Sequence, residues 1–279
     1  MENSKNIIWV ASYPKSGNTW VRNILAQLLF KTTSFAETLH YIRDIYQIQD
    51  GQTLMALPET NLGGKKVSLV KIHCQFCDLP TQSWGINIRT IGFIYIYRHP
   101  LDVLLSAINY WRLERCATDF FEDSIVQTPD ELVQVGKIDG YLERFSQDLT
   151  IQNWASMAGS WDKNVFSWLN AATDYPLTAV FNYRRLLADP VTEIGKICDL
   201  LPMINHQSLT EALNYAQKVR EYDPNLDSPE LEYFKKVFFW KGKRENYREY
   251  FSELAIKSFY HQHQQLLIDL DLFETVANP

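Results

Sequence analysis

The stretch Ser12–Thr19, "SYPKSGNT", brings together a proline, a lysine, a glycine and hydroxyl side chains at the end of an apolar run, Ile7–Ala11. A helical pattern starts near Thr19, so the order is strand, small-residue turn, helix, the layout that cradles a phosphate on backbone amides. The usual triphosphate loop, G-x-x-x-x-G-K-[ST], is absent here. On that template Ser12 stands for the first glycine, Gly17 and Thr19 match, and Asn18 occupies the lysine position, while the lysine has moved to position 15. Gly17 lets the backbone approach an anion, Ser16 and Thr19 offer hydroxyls, and the helix start at Trp20 adds its positive end. Read alone, the segment is either a cradle for an anion other than a triphosphate or an ordinary turn with a solvated lysine.

Three further stretches carry chemistry-bearing residues. In "VSLVKIHCQF", Lys71 and His73 are two apart, and alternation along a strand puts both on one face at the strand's exit. A histidine there titrates in the range a general base needs, although a lone histidine is also an ordinary structural residue. In "IGFIYIYRHPLDVLLSAINYW", an apolar strand runs into Arg98, and Pro100 sits in the first turn of the next helix, where proline is favoured. Arg98 beside that helix start, with Ser106 further along, can converge on one phosphate; a plain salt bridge is the alternative. In "VFFWKGKRENYREYF", Lys241, Lys243, Arg244 and Arg248 surround Gly242. Such a run is either a solvated face or a backbone loop around an anion.

The elements needed to position these groups are legible from periodicity. Strands are expected at Ile7–Ala11, Val67–Ile72, Gly92–Tyr97 and Leu177–Asn182. Helices are expected at Trp20–Phe30, Leu101–Leu113, Asp130–Phe145, Asn153–Ala171, Pro190–Leu200, Ser208–Lys218 and Ser252–Leu270. Apolar strands alternating with helices imply an α/β fold with a central parallel sheet covered on both sides, and ligands in such folds bind at the carboxyl ends of the strands. With 279 residues and no repeat or linker, one domain spanning 1–279 is expected.

Composition bounds the function. A formal charge of -6 argues against a nucleic-acid binder, yet leaves room for a small anion held by a few local cations. No apolar run reaches the length of a membrane helix, and the opening "MENSKN" is no secretory signal, so a cytoplasmic protein is expected. The 4 cysteines read as reduced thiols, with Cys116 and Cys198 as packing residues. Cys74 and Cys77 form a C-x-x-C without a second pair of metal-ligand spacing, so no metal is expected.

In order and spacing these segments resemble the PAPS-dependent sulfotransferases of the cytosolic, small-molecule type. "YPKSGNTW" differs from that family's 5'-phosphosulfate loop, "YPKSGTTW", at Asn18 alone. Lys71-Ile72-His73 is similar to its K-x-H element, and Tyr97–Ser106 to its 3'-phosphate-binding strand and helix. "NYRRLLADP", Asn182–Pro190, resembles the element with an adenine-contacting tyrosine, here Tyr183, and the late basic segment resembles "RKGxxGDWKNHF". The similarity runs from about Ile7 to Phe251. It departs at Trp240, where arginine is usual, at Glu245 for a glycine and at Asn246 for an aspartate, with Lys243 or Arg244 as candidate substitutes for the missing donor. A weaker match, "ALNY", makes Tyr215 either an adenine-stacking ring or a core tyrosine of an amphipathic helix.

The resemblance implies a P-loop-like three-layer fold and an enzyme moving the sulfo group of 3'-phosphoadenosine 5'-phosphosulfate (PAPS) to a hydroxyl or amine of a small organic acceptor. It implies His73 as base, with Lys15 and Lys71 stabilising charge. The donor is expected on Lys15, Ser16, Gly17, Asn18, Thr19 and Trp20, with Arg98, Ser106, Lys241 and Gly242 at the 3'-phosphate and Trp20, Tyr183 and Tyr215 at the adenine. The alternatives are a non-catalytic nucleotide-binding protein and a P-loop kinase. Neither the acceptor nor the oligomeric state follows from the sequence.

Overall fold

Alternating faces of three long strands build two cores. The computed structural model describes residues 4–62, 64–114, 127–200, 206–221 and 229–273. Its strands are β1 (Ser4–Ser12), β2 (Arg43–Asp44), β3 (Thr60–Leu62), β4 (Lys65–Ile72), β5 (Gln82–Ser83), β6 (Ile86–Tyr97) and β7 (Leu177–Asn182). Along β1, Ile7, Trp9 and Ala11 enter one core with Val70, Ile72, Phe93 and Tyr95. Ile8 and Val10 enter the other with Leu69, Ile94 and Ile96. Both faces are therefore buried, as the near-continuous apolar runs require.

The helices are α1 (Asn18–Phe30), α2 (Phe35–Tyr41), α3 (Gly51–Met55), α4 (Pro100–Glu114), α5 (Pro129–Gln134), α6 (Ile138–Asp148), α7 (Ala155–Ala158) and α8 (Trp161–Ala171). They continue with α9 (Tyr183–Ala188), α10 (Pro190–Leu200), α11 (His206–Lys218), α12 (Pro229–Phe238) and α13 (Glu253–Asp269). Helices α1, α10 and α11 cover one face of the sheet, and α4, α6, α8 and α13 the other. Three tryptophans, Trp9, Trp161 and Trp168, are fully buried; removing such a side chain costs about 3–5 kcal/mol.

The parallel part of the sheet runs β2-β4-β1-β6-β7. The two short additions, β3 on β4 and β5 on β6, are antiparallel, so the expected parallel sheet holds with antiparallel trimmings. The expected helix over Asp130–Phe145 is two helices: α5 ends and the chain turns at Gly136 (φ 67°) before α6 begins. The one expected over Asn153–Ala171 is likewise interrupted, at Gly159 and Ser160, the residues just before α8. In each case the apolar period continues across the break, which is why the pattern reads as one helix.

Register decides what the strand ends present. Ala11 pairs with Ile72, Ser12 with Ile96, and Tyr97 with Asn182. His73, Arg98 and Tyr183 each follow the last residue of their strand, and the loop Tyr13–Gly17 follows β1. All of them thus leave the sheet at one level, at its carboxyl edge.

Candidate active site

A cleft of about 900 Å3, its open mouth included, lies over this edge. Its wall contains Lys15, Gly17, Asn18, Thr19, Trp20, Lys71, His73, Arg98, Ser106, Tyr183 and Gly242. Segments up to 227 residues apart in sequence therefore meet in one place, as expected from their chemistry.

The loop is shaped to receive an anion. Lys15 and Gly17 both adopt positive φ, 65° and 106°. The backbone N–H groups of Gly17, Asn18 and Thr19 donate to no acceptor among the described residues, and the Ser16 hydroxyl is buried without a partner. Buried polar groups are normally satisfied, so donors left open at a helix start mark a place for a negatively charged oxygen. Asn18, at the position that differs from the family loop, turns its side-chain amide inward to the Val10 carbonyl at 3.0 Å and ties the loop to β1. The Lys15 ammonium lies 4.1 Å from the ring centres of both Tyr110 and Phe238.

The His73 imidazole is set by its neighbours. His73 Nδ1 lies 2.7 Å from the Ser12 carbonyl oxygen. Only a protonated nitrogen can make that bond, so the hydrogen is on Nδ1 and Nε2 keeps its lone pair. The strand exit is pinned from α8: Asn164 donates to the His73 carbonyl at 2.9 Å, and Trp168 Nε1 to the Cys74 carbonyl at 2.9 Å. Burial, aided by the Lys71 cation, pushes the imidazole down to about 3, against the pull of the Ser12 carbonyl and Asp44. The ring is neutral at physiological pH, the state in which it can accept a proton.

Lys71 is ion-paired with Asp44 across the β2–β4 register. Burial lowers the Lys71 ammonium and Asp44 opposes it. Burial alone would raise the Asp44 carboxyl, but the Lys71 charge wins and holds it below its ordinary value. Sequence reasoning missed Asp44 because β2 is only two residues long and carries no strand pattern.

Arg98 is buried with its guanidinium 4.6 Å from the centre of the Tyr183 ring. It donates to the carbonyls of Lys243 at 3.0 Å and Lys15 at 3.4 Å, while Asp102 stands 3.7 Å from its Nε. Trp20 and Tyr183 meet edge to face at 6.2 Å on the same wall, a pair of rings suited to a planar base.

Two expected groups are placed elsewhere. Tyr215 is not at the cleft: its hydroxyl donates to the Ser34 carbonyl at 2.6 Å and meets Thr38 at 3.0 Å, joining α11 to α2. It is a half-buried tyrosine whose position on α11 faces α2, not the cleft. At the Lys241–Gly242 pair, Gly242 reaches the wall, but the Lys241 ammonium turns to Glu249 and the Tyr250 ring. Pro14, Tyr110, Trp154, Met157, Phe238, Phe239, Trp240 and Arg220 complete the lining; Phe238, Phe239 and Trp240 belong to the late basic segment, while Trp154, Met157 and Arg220 carry no motif that would have found them. Cys74 and Cys77 are free thiols, and the buried Cys74 is pushed up to about 12 by burial. Cys116 and the side chain of Cys198 lie outside the described residues.

A parallel α/β sheet with a glycine turn after its first strand, a neutral histidine and a row of cations at its carboxyl edge fits a P-loop-like group transferase. The sequence narrows the class. A family model described as a sulfotransferase domain matches residues 5–271, and the chain belongs to that family. Sulfotransferase 1B1 of Canis lupus familiaris is 26% identical over 266 residues, covering 90% of this chain and 80% of the relative. Mouse sulfotransferase SULT7A1, solved in complex with PAP, superposes with a TM-score of 0.63 at 18% identity over 96% of this chain and 85% of its own. Retinol dehydratase with androsterone and PAP gives 0.64 at 18% identity over 96% and 82%. The expected fold and the expected PAPS-dependent sulfotransferase class are borne out. No described helix is long and apolar enough to cross a membrane.

Proposed function

We propose that this enzyme moves the sulfo group of PAPS onto a hydroxyl or amine of a small, largely apolar organic acceptor, with His73 as the base. The observation that carries this reading is the fixed tautomer: the Nδ1–H to Ser12 at 2.7 Å leaves Nε2 free in a cleft that also holds the anion loop. A nitrogen so placed takes the acceptor's proton as its oxygen or nitrogen attacks sulfur. The N–H groups of residues 17–19, the Ser16 hydroxyl and Lys15 suit the 5'-phosphosulfate. Arg98, Ser106 and Gly242 suit the 3'-phosphate, and Trp20 and Tyr183 the adenine.

The chemistry demanded of the protein is alignment and charge stabilisation. Lys15 and Lys71 neutralise charge on the transferring sulfo group and the departing phosphate oxygen. His73 stays neutral until it takes its proton, and the Asp44 carboxylate then stabilises the imidazolium. Tyr110, Trp154, Met157 and Phe238 form an aromatic, apolar stretch of wall suited to a flat organic acceptor. The cytoplasm is the proposed compartment, in keeping with the free Cys74 and Cys77.

The test is incubation with labelled PAPS and a panel of phenols, alcohols and amines, with mass detection of a sulfated product. His73→Ala should abolish turnover yet still bind adenosine 3',5'-bisphosphate. Bisphosphate binding by the native protein with no transfer to any acceptor would point to a non-catalytic binder. Magnesium-dependent ATP turnover indifferent to PAPS would point to a kinase.

A further inference from the structure

The phosphate end of the cleft is short of positive charge if Arg98 serves it alone. Two of its nitrogens already bond to backbone carbonyls, and Asp102 offsets part of its charge. The Lys241 ammonium is spent on Glu249. Lys243 and Arg244, the substitutes expected from the sequence, are not on the cleft wall; Arg244 lines a small neighbouring cavity with Glu245 and Asp102. A phosphate monoester carries between one and two negative charges near neutrality, and a second cation is needed in a low-dielectric pocket.

Arg220 meets that need. It lies in the turn after α11, half-buried, and lines the same cleft as Arg98, Ser106 and Gly242. Its guanidinium packs 5.8 Å from the centre of the Phe239 ring, and among the described residues no carboxylate pairs with it. Its Nη2 lies over the Gly242 α-carbon, so close that a side-chain carbon there would be 1.9 Å from it. Gly242 also has a φ of 59°. The glycine thus serves twice, permitting the left-handed turn and leaving the room the guanidinium occupies. Arg98 is bound to the carbonyl of Lys243, the next residue. Two guanidiniums are therefore held against consecutive residues of one loop, where their forks can grip one phosphate.

We propose that Arg220 is the second 3'-phosphate-binding residue of this enzyme, delivered from the end of α11, and that it sets the preference for a 3'-phosphorylated donor. The inference rests on the donor assigned above.

Calorimetry with adenosine 3',5'-bisphosphate and adenosine 5'-monophosphate on native protein, Arg220→Ala and Arg220→Lys separates the two readings. The native protein should favour the bisphosphate. Arg220→Ala should cut that preference by about 10- to 100-fold, the worth of a hydrogen-bonded charge. Its monophosphate affinity should stay within about twofold, which also shows that the variant is folded, and the lysine variant should retain part of the preference. An undiminished preference in Arg220→Ala, or its loss in Lys243→Ala or Arg244→Ala instead, overturns the role of Arg220 while leaving the donor intact. A native protein indifferent to the 3'-phosphate overturns the donor, and Arg220's role with it.

Discussion

Acidification should destabilise this enzyme well before pH 4, because two histidines are built in as neutral rings. His99 stacks on Tyr247 at 4.7 Å, its Nδ1 accepts from the Leu101 N–H at 3.3 Å, and its Nε2 meets the Tyr260 hydroxyl at 3.1 Å. The bond to Leu101 caps the start of α4 and exists only while Nδ1 is unprotonated. Burial, together with the cations of Arg248, Arg98 and Arg184, pushes this ring down to about 3. In the unfolded chain it titrates near ~6.5, so below that pH the unfolded state binds the extra proton and stability falls as pH falls. From pH 7 to 4.5 the linkage amounts to about 2.5 kcal/mol for one such histidine. His73 adds up to the same again, reduced to roughly half because it faces the cleft. Asp44, held low, titrates beneath this window; Asp102, raised by burial, opposes the trend. Urea unfolding followed by tryptophan fluorescence should therefore lose about 3–5 kcal/mol between pH 7 and 4.5. His99→Asn keeps an acceptor for the Leu101 N–H but cannot titrate, and it should remove about 2.5 kcal/mol of that pH dependence while costing about 1–2 kcal/mol at pH 7. A native midpoint unchanged by acid, or an asparagine variant with the native slope, would refute the argument.

Three other perturbations bear on the cleft. Asp44→Asn leaves the Lys71 ammonium buried without its counter-charge and should cost about 2–4 kcal/mol of stability. It should also lower the His73 pKa further, with about 10-fold less activity at neutrality; unchanged activity counts against electrostatic coupling of the two side chains. Gly17→Ala places a methyl 2.6 Å from the Tyr183 ring at a φ of 106° and should weaken adenosine bisphosphate binding more than about 10-fold by calorimetry. Lys15→Ala should slow single-turnover sulfo transfer by about 100-fold or more with bisphosphate affinity changed only a few-fold, and an unaltered transfer rate would remove Lys15 from the chemistry.

The long strands and the residues at their exits were legible because parallel strands buried on both faces advertise themselves as apolar runs, and chemistry in such folds collects where those runs stop. Short elements were not. β2 has two residues, and α2, α3, α9 and α12 interrupt no long polar stretch that periodicity could separate from loop. Asp44 was lost with β2, and Arg220, in "QKVREYD", looks like any solvated helix end until Gly242 is seen beneath it. Tyr215 is the opposite case. A motif match pointed to the ligand and the helix period to an amphipathic packing face; the hydroxyl bonds Ser34 and Thr38 of the α2 region.

What the apolar runs cannot specify is register, and the active site depends on it. On β4 both faces are buried, with Val70 and Ile72 in one core and Val67 and Leu69 in the other. A one-residue slip would exchange two sets of similar aliphatic side chains at modest cost, yet it would turn Lys71 and His73 away from the cleft. Polar contacts at the strand exit discriminate where hydrophobicity does not. Ser12 binds the His73 ring, Asn164 the His73 carbonyl, Trp168 the Cys74 carbonyl and Asp44 the Lys71 ammonium. Slipping the strand would leave those buried groups unpaired, at about 1–3 kcal/mol each and more for the ion pair. Asn164 is itself held by Tyr95, whose hydroxyl donates to its Oδ1 at 2.9 Å, so β6 helps set the register of β4 through α8. The groups that orient His73 are thus the groups that align the strand, and a fault in one is a fault in the other.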